Sequence, residues 1–389
     1  MTLATDQEWP RAAVLNIVGL CGRHLGEHTP HISAFANRNQ AGCQVIDPVL
    51  PALTCSVQST YLTGKMPDEH GIVGNGWYDR ELNEHHFWKQ SNQLVQSRKI
   101  WDVLREKKKD FSCANLFWWY NMHSSVDHSI TPRPLYRADG FKSFDVHTQP
   151  MHLREEIKAD LGDFPFHGFW GPKAGIASSN WIAESAKWTE EKHSPDLSLV
   201  YLPHLDYDLQ RLGPNDPKIS KALNEIDQVV GELISFYEKR GIRLIILSEY
   251  GITEVKNVIY PNRVFRNKGW LSIKDELGLE YLDCGGSKAF TITDHQVAHV
   301  YLQDESPRFR KEVRNCLESM EGVEKILEGE SRKEAGLNHE RSGDFVIFSN
   351  IICAVRSGLS ASTPKLDIYF CFCKSFVCTI SINPNFLGS

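Results

Sequence analysis

The residue of this sequence best placed for chemistry is Thr54. It follows a proline and a short apolar run, and no helix-breaking residue occurs before Gly64, so a helix is predicted to begin at Thr54. The first backbone N–H groups of a helix lack partners within it, and the helix dipole favours negative charge there. A phosphate group binds readily at such a position, and a hydroxyl beside it can attack phosphorus. The alternative is an ordinary helix N-cap.

Two carboxylates follow predicted strands elsewhere in the chain. Asp206 comes shortly after the apolar run 197–202, and Glu249 comes directly after the apolar run 242–248. Functional sites in parallel sheets lie at the carboxyl ends of the strands. Thr54, Asp206 and Glu249 are therefore predicted to meet at one edge of a sheet.

Apolar strands alternate with helices along the chain, which predicts an α/β fold with a doubly wound, mostly parallel sheet. The helix predicted over 217–240 has the apolar spacing of an amphipathic helix that covers a sheet. The other predicted elements are strands at 12–20 and 110–117 and a helix at 30–37.

Composition limits the classes of function. The chain has 389 residues, 41% of them hydrophobic, with a net charge of −6. This balance is typical of a globular protein with a sizeable core and excludes a nucleic-acid polymer as partner, while small phosphoesters remain possible ligands. The N-terminus lacks the pattern of a signal peptide, and no stretch has the length of an apolar membrane span, so we expect a cytoplasmic protein.

The cysteines of residues 1–349 are scattered without Cys-x-x-Cys spacing. This pattern predicts free thiols in a reducing compartment rather than a disulfide framework. The residues concerned are Cys21, Cys43, Cys55, Cys113, Cys284 and Cys316.

The segment around Thr54 carries a family resemblance. Residues 51–56 read Pro-Ala-Leu-Thr-Cys-Ser, and residues 63–79 read Thr-Gly-Lys-Met-Pro-Asp-Glu-His-Gly-Ile-Val-Gly-Asn-Gly-Trp-Tyr-Asp. This segment resembles the nucleophile segment of the nucleotide pyrophosphatase/phosphodiesterase family (type I phosphodiesterases) of the alkaline phosphatase superfamily. The resemblance implies an alkaline-phosphatase-like fold, Thr54 as the nucleophile and Asn75 as a donor to a phosphate oxygen.

The same resemblance implies two zinc-type ions that clamp the phosphoryl group, but the ligand pattern is altered here. Val18 stands where the family has an acid. Gln210 replaces a histidine one helical turn after Asp206, and Tyr250 replaces a histidine directly after Glu249. A final histidine near a Gly-Tyr-Asp run is missing after Glu249. The carboxylates of Asp206 and Glu249 remain as metal-ligand candidates and, with Thr54, predict a weak, oxygen-rich site.

Other side chains are candidates to complete a site for a divalent metal such as Zn²⁺, Mn²⁺ or Mg²⁺. His204 and Asp208 flank Asp206, and the run 294–299 offers Asp294, His295 and His299. Residues four apart share a side of either a helix or a strand, so both imidazoles would face one way. The alternative is that these histidines are hydrogen-bonded or solvent-exposed.

The sequence also predicts a division of the chain. Residues 1–117 and 190–349 form the expected alkaline-phosphatase-like core, 118–189 an inserted cap, and 350–389 an atypical tail. Aromatic residues, histidines and prolines dominate 118–170, which predicts irregular structure; its aromatic residues 118–120 either pack the cap on the sheet or contact a substrate. We hypothesise that the tail reflects a shifted reading frame or a retained intron, and uninterrupted transcript reads across Asn350 would contradict this.

These patterns support functions of different classes. The first is a hydrolase of phosphodiesters or pyrophosphates with a Thr54 nucleophile and metal assistance. The alternative is a non-catalytic or accessory binding protein that kept the fold after losing zinc ligands. A metal-assisted mutase or transferase, which differs in its acceptor, is a third possibility, since a fold does not determine its function.

Overall fold

The structure is a computed structural model that describes residues 9–38, 43–46, 49–136, 138–139, 141–350, 353–355, 370–373 and 377–380. Its strands are β1 (Ala12–Ile17), β2 (Cys43–Ile46), β3 (Gly76–Asp79), β4 (Glu84–Phe87), β5 (Cys113–Leu116), β6 (His128–Tyr136), β7 (Lys142–Gln149), β8 (Leu197–Leu202), β9 (Arg243–Leu247), β10 (Gly251–Glu254), β11 (Asn257–Ile259), β12 (Ser272–Glu276), β13 (Leu279–Asp283), β14 (Ala289–Asp294), β15 (Val297–Leu302), β16 (Val323–Leu327), β17 (Phe345–Ser349), β18 (Cys353–Val355), β19 (Phe370–Cys373) and β20 (Val377–Ile380). Its α-helices are α1 (Pro30–Asn37), α2 (Thr54–Thr63), α3 (Pro67–His70), α4 (Ile100–Lys107), α5 (Leu153–Leu161), α6 (Ile176–His193), α7 (His204–Leu212), α8 (Ile219–Glu238), α9 (Pro261–Asn267), α10 (Pro307–Glu318) and α11 (Gly329–Glu334).

The main sheet has the strand order β2-β20-β9-β1-β8-β5-β6-β7. The strands β9, β1, β8, β5 and β6 run parallel to one another, whereas β7, β20 and β2 join by antiparallel pairing. Central strands of such a sheet are buried on both faces and therefore consist of continuous apolar runs. The four predicted strands are confirmed as β1, β5, β8 and β9, and the predicted doubly wound, mostly parallel α/β fold is confirmed with them.

The predicted amphipathic helix is confirmed as α8, which contacts α1, α6 and α7. Ile226, Val230 and Leu233, at helical spacing, are completely buried. The helix predicted over 30–37 is likewise confirmed as α1.

A smaller antiparallel sheet has the order β14-β15-β17-β16. It has its own core, in which Phe290, Tyr301 and Phe345 are completely buried, and Phe265 of α9 and Val313 of α10 belong to the same cluster. The strand β17 of this sheet ends at Ser349.

Residues 118–170 are more regular than predicted. β6 and β7 lie in this stretch and continue the main sheet from β5. Prolines are poor strand formers, but here they lie at the edge of a pairing. Pro132 and Pro134 pair only with β7, because the pairing of β6 with β5 ends at Ile130. A proline is tolerated where its missing N–H has no second strand to serve. The prediction of irregular structure is therefore wrong, while the division into core and cap stays a prediction.

Most of the tail beyond Asn350 lies outside the described residues. Within its described parts, β18 pairs with β11, β19 pairs with β10, and β20 enters the main sheet between β2 and β9. The origin of the tail stays a hypothesis.

Five of the six predicted free thiols are free and buried: Cys21, Cys55, Cys113, Cys284 and Cys316. Cys43 is disulfide-bonded, so the prediction is wrong there. Sequence spacing reveals only local pairs, whereas a disulfide joins residues that the fold brings together. Among the described residues, no helix is both long and apolar enough to span a membrane.

Candidate functional site

Thr54 is the first residue of α2, as predicted. Leu53 before it is extended, and the first hydrogen bond of the helix runs from the Val57 N–H to the Leu53 carbonyl oxygen at 2.9 Å. The N–H groups that precede Val57 therefore point out of the helix end. The side chain of Thr54 is only 6% exposed. Its hydroxyl and the positive end of the helix dipole thus share one protected position.

Asn75 is fixed to the same helix end. Its Oδ1 accepts a hydrogen bond from the Cys55 N–H at 3.0 Å, which places its NH₂ group on the opposite side of the amide. Gly76, the next residue, permits the close approach of β3 to β4, because a Cβ at that position would lie 2.4 Å from the carbonyl oxygen of His86. The hydrogen bond to Cys55 holds Asn75 close to Thr54, where the sequence predicted it.

Asp206 and Glu249 lie at the carboxyl ends of two strands of the main sheet. Asp206 is in the first turn of α7 after β8, and Glu249 follows β9. β1 lies between β8 and β9 and is parallel to both, so the two carboxylates share one sheet edge. Both are buried.

Tyr250 connects the carboxylates to the nucleophile candidate. Its phenol oxygen lies 3.3 Å from Thr54 Oγ1, and it donates a hydrogen bond to Asp206 Oδ1 at 3.3 Å. The three side chains thus form a continuous hydrogen-bonded row. The sequence identified Tyr250 only as a missing ligand, and its bridging position depends on the fold.

Two amides that the sequence analysis missed bind Glu249. Asn16 Nδ2 donates to Glu249 Oε1 at 2.7 Å, and Gln58 Nε2 donates to the same oxygen. Asn16 is the one polar residue of β1, and Gln58 lies one helical turn after Thr54 on the same face of α2. The polar Asn16 within an apolar strand and the four-residue spacing from Thr54 to Gln58 could both be read from the sequence.

A third amide binds Asp206. Gln210 Nε2 donates to Asp206 Oδ2 at 2.7 Å, one turn further along α7. Because Tyr250 bonds the other oxygen, both oxygens of Asp206 accept hydrogen bonds. On Glu249, Oε2 is buried and meets no hydrogen-bond partner of good geometry among the described residues. The Thr54 hydroxyl is nevertheless close enough to lower the pKa of Glu249.

Burial decides the charges of the two acids. Desolvation raises the pKa of Glu249 to about 8, against the opposing hydrogen bonds of Gln58 and Asn16. Desolvation also raises the pKa of Asp206 to about 6, against the hydrogen bond of Gln210. At neutral pH, Glu249 is therefore mostly protonated and Asp206 mostly ionised.

The fold directs two of the remaining metal-ligand candidates away from the carboxylates. His204 Nε2 is 3.0 Å from Glu225 Oε2 on α8. Asp208 Oδ1 is 3.4 Å from Arg211 Nη2 on the same helix. Each thus has a charged or polar partner of its own.

The run 294–299 is split by the start of β15. His299 uses both ring nitrogens, since Nε2 lies 3.0 Å from the Val73 carbonyl oxygen and Nδ1 accepts from the Gly343 N–H at 3.1 Å. Asp294 and His295 bind each other. The charge of His295 lowers the pKa of Asp206, so the Asp294–His295 pair lies near Asp206.

The aromatic residues 118–120 are buried, with Trp118 1%, Trp119 5% and Tyr120 3% exposed. The Trp119 backbone N–H donates to Gln58 Oε1 at 2.6 Å. The burial of these residues favours the alternative that they pack the predicted cap on the sheet. Trp119 also fixes the orientation of the Gln58 amide.

Residues 12–360 match the family described as type I phosphodiesterase / nucleotide pyrophosphatase. The chain belongs to this family. The family predicted from residues 51–79 is thereby confirmed.

Relatives of this type I phosphodiesterase family member are distant. An uncharacterised pyrophosphatase/phosphodiesterase of Schizosaccharomyces pombe is 27% identical over 248 residues, which are 61% of this chain and 44% of that protein. Ectonucleotide pyrophosphatase/phosphodiesterase family member 5 of Homo sapiens is 22% identical over 199 residues, 50% of this chain and 35% of that protein. The chain thus matches less than half the length of either relative.

Two solved structures share its fold. Phosphonoacetate hydrolase from Sinorhizobium meliloti, in complex with phosphonoacetate, has a TM-score of 0.70 and 17% identity, covering 97% of this chain and 92% of that chain. Murine ectonucleotide pyrophosphatase / phosphodiesterase 5, an inactive threonine-to-alanine variant in complex with AMP, has a TM-score of 0.63 and 15% identity, covering 95% and 87%.

The side chains of this family member do not complete the metal centre that the resemblance implies. A catalytic zinc ion needs three protein ligands, usually including imidazoles. Val18 has no donor atom, and Gln210 and Tyr250 direct N–H and O–H groups at Asp206. In the part of the chain that the structure describes, no three His, Cys, Asp or Glu side chains are grouped to hold a metal ion. Asp206 and Glu249 do come together beside Thr54, but without further ligands of that kind.

Proposed function

We propose that this chain hydrolyses small phosphoesters, either phosphodiesters or pyrophosphates, and that Thr54 is the nucleophile. The observation that carries the proposal is the position of the Thr54 hydroxyl, at the first residue of α2 and 3.3 Å from a phenol that is itself bonded to a carboxylate. The names of the pyrophosphatase/phosphodiesterase relatives support this class of substrate.

Binding of the phosphoryl group would use the helix end and Asn75. The Cys55 N–H already donates to Asn75, so the remaining outward N–H groups of α2 and the NH₂ group of Asn75 are the hydrogen-bond donors for the non-bridging oxygens of the phosphoryl group. Glu249, protonated at neutral pH, adds no negative charge that would repel the anion. The region around Thr54 therefore presents donors to a phosphate.

Attack on phosphorus requires the Thr54 hydroxyl to lose its proton. As the bond from Thr54 Oγ1 to phosphorus forms and the bond from phosphorus to the leaving oxygen breaks, the hydroxyl proton of Thr54 passes to the Tyr250 phenol oxygen, and the phenol proton passes to Asp206 Oδ1. Asp206 is suited to this role because its pKa of about 6 leaves it ionised but basic at neutral pH. Burial raises the pKa of Tyr250 well above its ordinary value, so the phenol stays neutral between transfers.

The second step reverses the relay. Water attacks the phosphothreonine, the bond from Thr54 Oγ1 to phosphorus breaks, and the proton held on Asp206 returns through Tyr250 to Thr54. The alcohol or phosphate released in the first step and the attacking water exchange their protons with solvent. The chain ends in its starting state, as a catalyst must.

A second candidate function is binding of a phosphoester without turnover. The observation that favours it is the replacement of metal ligands by hydrogen-bond donors at Gln210 and Tyr250. Under this alternative the helix end and Asn75 would still hold a phosphate.

The deciding experiment is an assay of the full chain on bis(p-nitrophenyl) phosphate, with Mn²⁺, Mg²⁺, Zn²⁺ or EDTA in separate reactions. Thr54→Ala is the test variant, and Thr63→Ala at the other end of α2 is the matched control. We expect turnover by the native chain and the control but not by Thr54→Ala. Equal turnover by all three would refute Thr54 as the nucleophile, and phosphate binding without turnover by the native chain would favour the second candidate.

A further inference from the structure

Four side chains of the protein donate hydrogen bonds to the Asp206 and Glu249 carboxylates. Gln210 Nε2 and the Tyr250 phenol bind the two oxygens of Asp206, at 2.7 and 3.3 Å. Asn16 Nδ2 binds Glu249 Oε1 at 2.7 Å, and Gln58 Nε2 binds the same atom. Three of the four carboxylate oxygens of Asp206 and Glu249 therefore accept hydrogen bonds.

The orientation of one of these amides is fixed from outside the site. The oxygen of the Gln58 amide accepts the Trp119 backbone N–H at 2.6 Å, so its NH₂ group must be the end that faces Glu249. A flipped amide that offered its oxygen to a metal ion would leave the buried Trp119 N–H without its acceptor. An unpaired buried N–H costs about 1–3 kcal/mol.

A divalent metal would find too few ligand atoms here. A carboxylate oxygen can accept more than one contact, so a hydrogen bond to it does not by itself exclude an ion. Gln210 and Tyr250, however, turn N–H and O–H groups toward Asp206, and neither residue supplies the imidazole that zinc prefers. The two carboxylates fall short of the three protein ligands that a catalytic zinc ion needs.

We propose that the Asp206–Glu249 pair takes no divalent metal, because the side chains around it, Asn16, Gln58, Gln210 and Tyr250, present hydrogen-bond donors to the carboxylates rather than ligand atoms. Binding of a phosphoryl group at Thr54 is then independent of metal ions. The inference rests on the proposed function only in naming a phosphoryl group as the ligand. These four donors orient the two carboxylates.

Two measurements on the purified full chain test this. The first is the metal content after purification in the presence of added Zn²⁺ and Mn²⁺ and exhaustive dialysis, measured by mass spectrometry for the native chain and for Glu249→Gln. The second is calorimetric titration with inorganic phosphate, before and after EDTA treatment followed by gel filtration. We expect no stoichiometric metal that depends on Glu249 and a phosphate affinity that EDTA treatment does not change.

A metal ion bound one per chain in the native protein and lost in Glu249→Gln would overturn the inference. A phosphate affinity that falls by about tenfold or more after EDTA treatment, a loss of about 1.4 kcal/mol, would also overturn it, because phosphate binding would then depend on a bound metal ion. If the native chain binds no phosphate but also no Glu249-dependent metal, the proposed function fails and the metal-free carboxylate pair stands.

Discussion

The nucleophile side and the acid side of this site keep the family pattern to different extents. Thr54 begins α2, Asn75 is hydrogen-bonded to the Cys55 N–H, and both lie where the family pattern predicts them. On the acid side, Asp206 and Glu249 keep their carboxylates but are surrounded by amides and a phenol. Anion binding at a helix end depends largely on backbone N–H groups, which the fold itself provides. Metal binding depends on particular side chains and is lost when a few of them change.

The strongest test of the nucleophile side is Thr54→Ala. We expect kcat/KM for a phosphodiester to fall by about 10³-fold or more, because the atom that attacks phosphorus is removed. Phosphate affinity should fall much less, since the backbone donors remain. Steady-state kinetics and calorimetry on the same preparation distinguish the two effects, and an equal loss in both would show that Thr54 only binds the anion.

The acid side is tested by Tyr250→Phe. Removal of the phenol interrupts the path from Thr54 to Asp206, and we expect kcat to fall by about 10²-fold, the usual contribution of a general base. KM should change little. The control is Tyr237→Phe, which alters a different buried tyrosine that lies on α8. If kcat of Tyr250→Phe stayed at the native value, Thr54 would need another proton acceptor.

The contribution of Asn75 is expected to be smaller. Asn75→Ala should weaken phosphate binding by about tenfold, since one hydrogen bond to a charged oxygen is worth about 1.5 kcal/mol. Asn75→Asp can still accept from the Cys55 N–H, but its carboxylate repels phosphate, so its loss should be larger than that of Asn75→Ala. Titration calorimetry measures both, and native affinity in Asn75→Asp would exclude contact with the anion.

A change of pH is expected to have the smallest effect on turnover. Turnover should rise as pH increases through about 6, because Asp206 must lose its proton to act as a base. It should fall as pH increases through about 8, because ionised Glu249 then repels the phosphoryl group. Between these values kcat/KM should vary by less than about threefold. In Glu249→Gln the upper limb should disappear; a limb that persists there belongs to another group.

The parts of the fold that the sequence predicted are those set by local pattern. The apolar runs that became β1 and β8 and the amphipathic α8 lie where periodicity placed them. Prediction failed where contacts between residues far apart in sequence determined the structure. In β6, for example, the prolines lie beyond the end of β5 and are therefore tolerated. The disulfide of Cys43 escaped prediction for the same reason.

The sequence by itself determined the family, the helix that begins at Thr54 and the carboxylates at two strand ends, because motif and periodicity are properties of neighbouring residues. Only the tertiary structure showed what surrounds those carboxylates. Asn16, Gln58 and Tyr250 come from separate elements, and they meet because β1 lies between β8 and β9 while α2 begins at their carboxyl edge. Hydrogen bonding and burial act over a few ångströms in space, so the charge state of the site was decided by chain folding rather than by residue order.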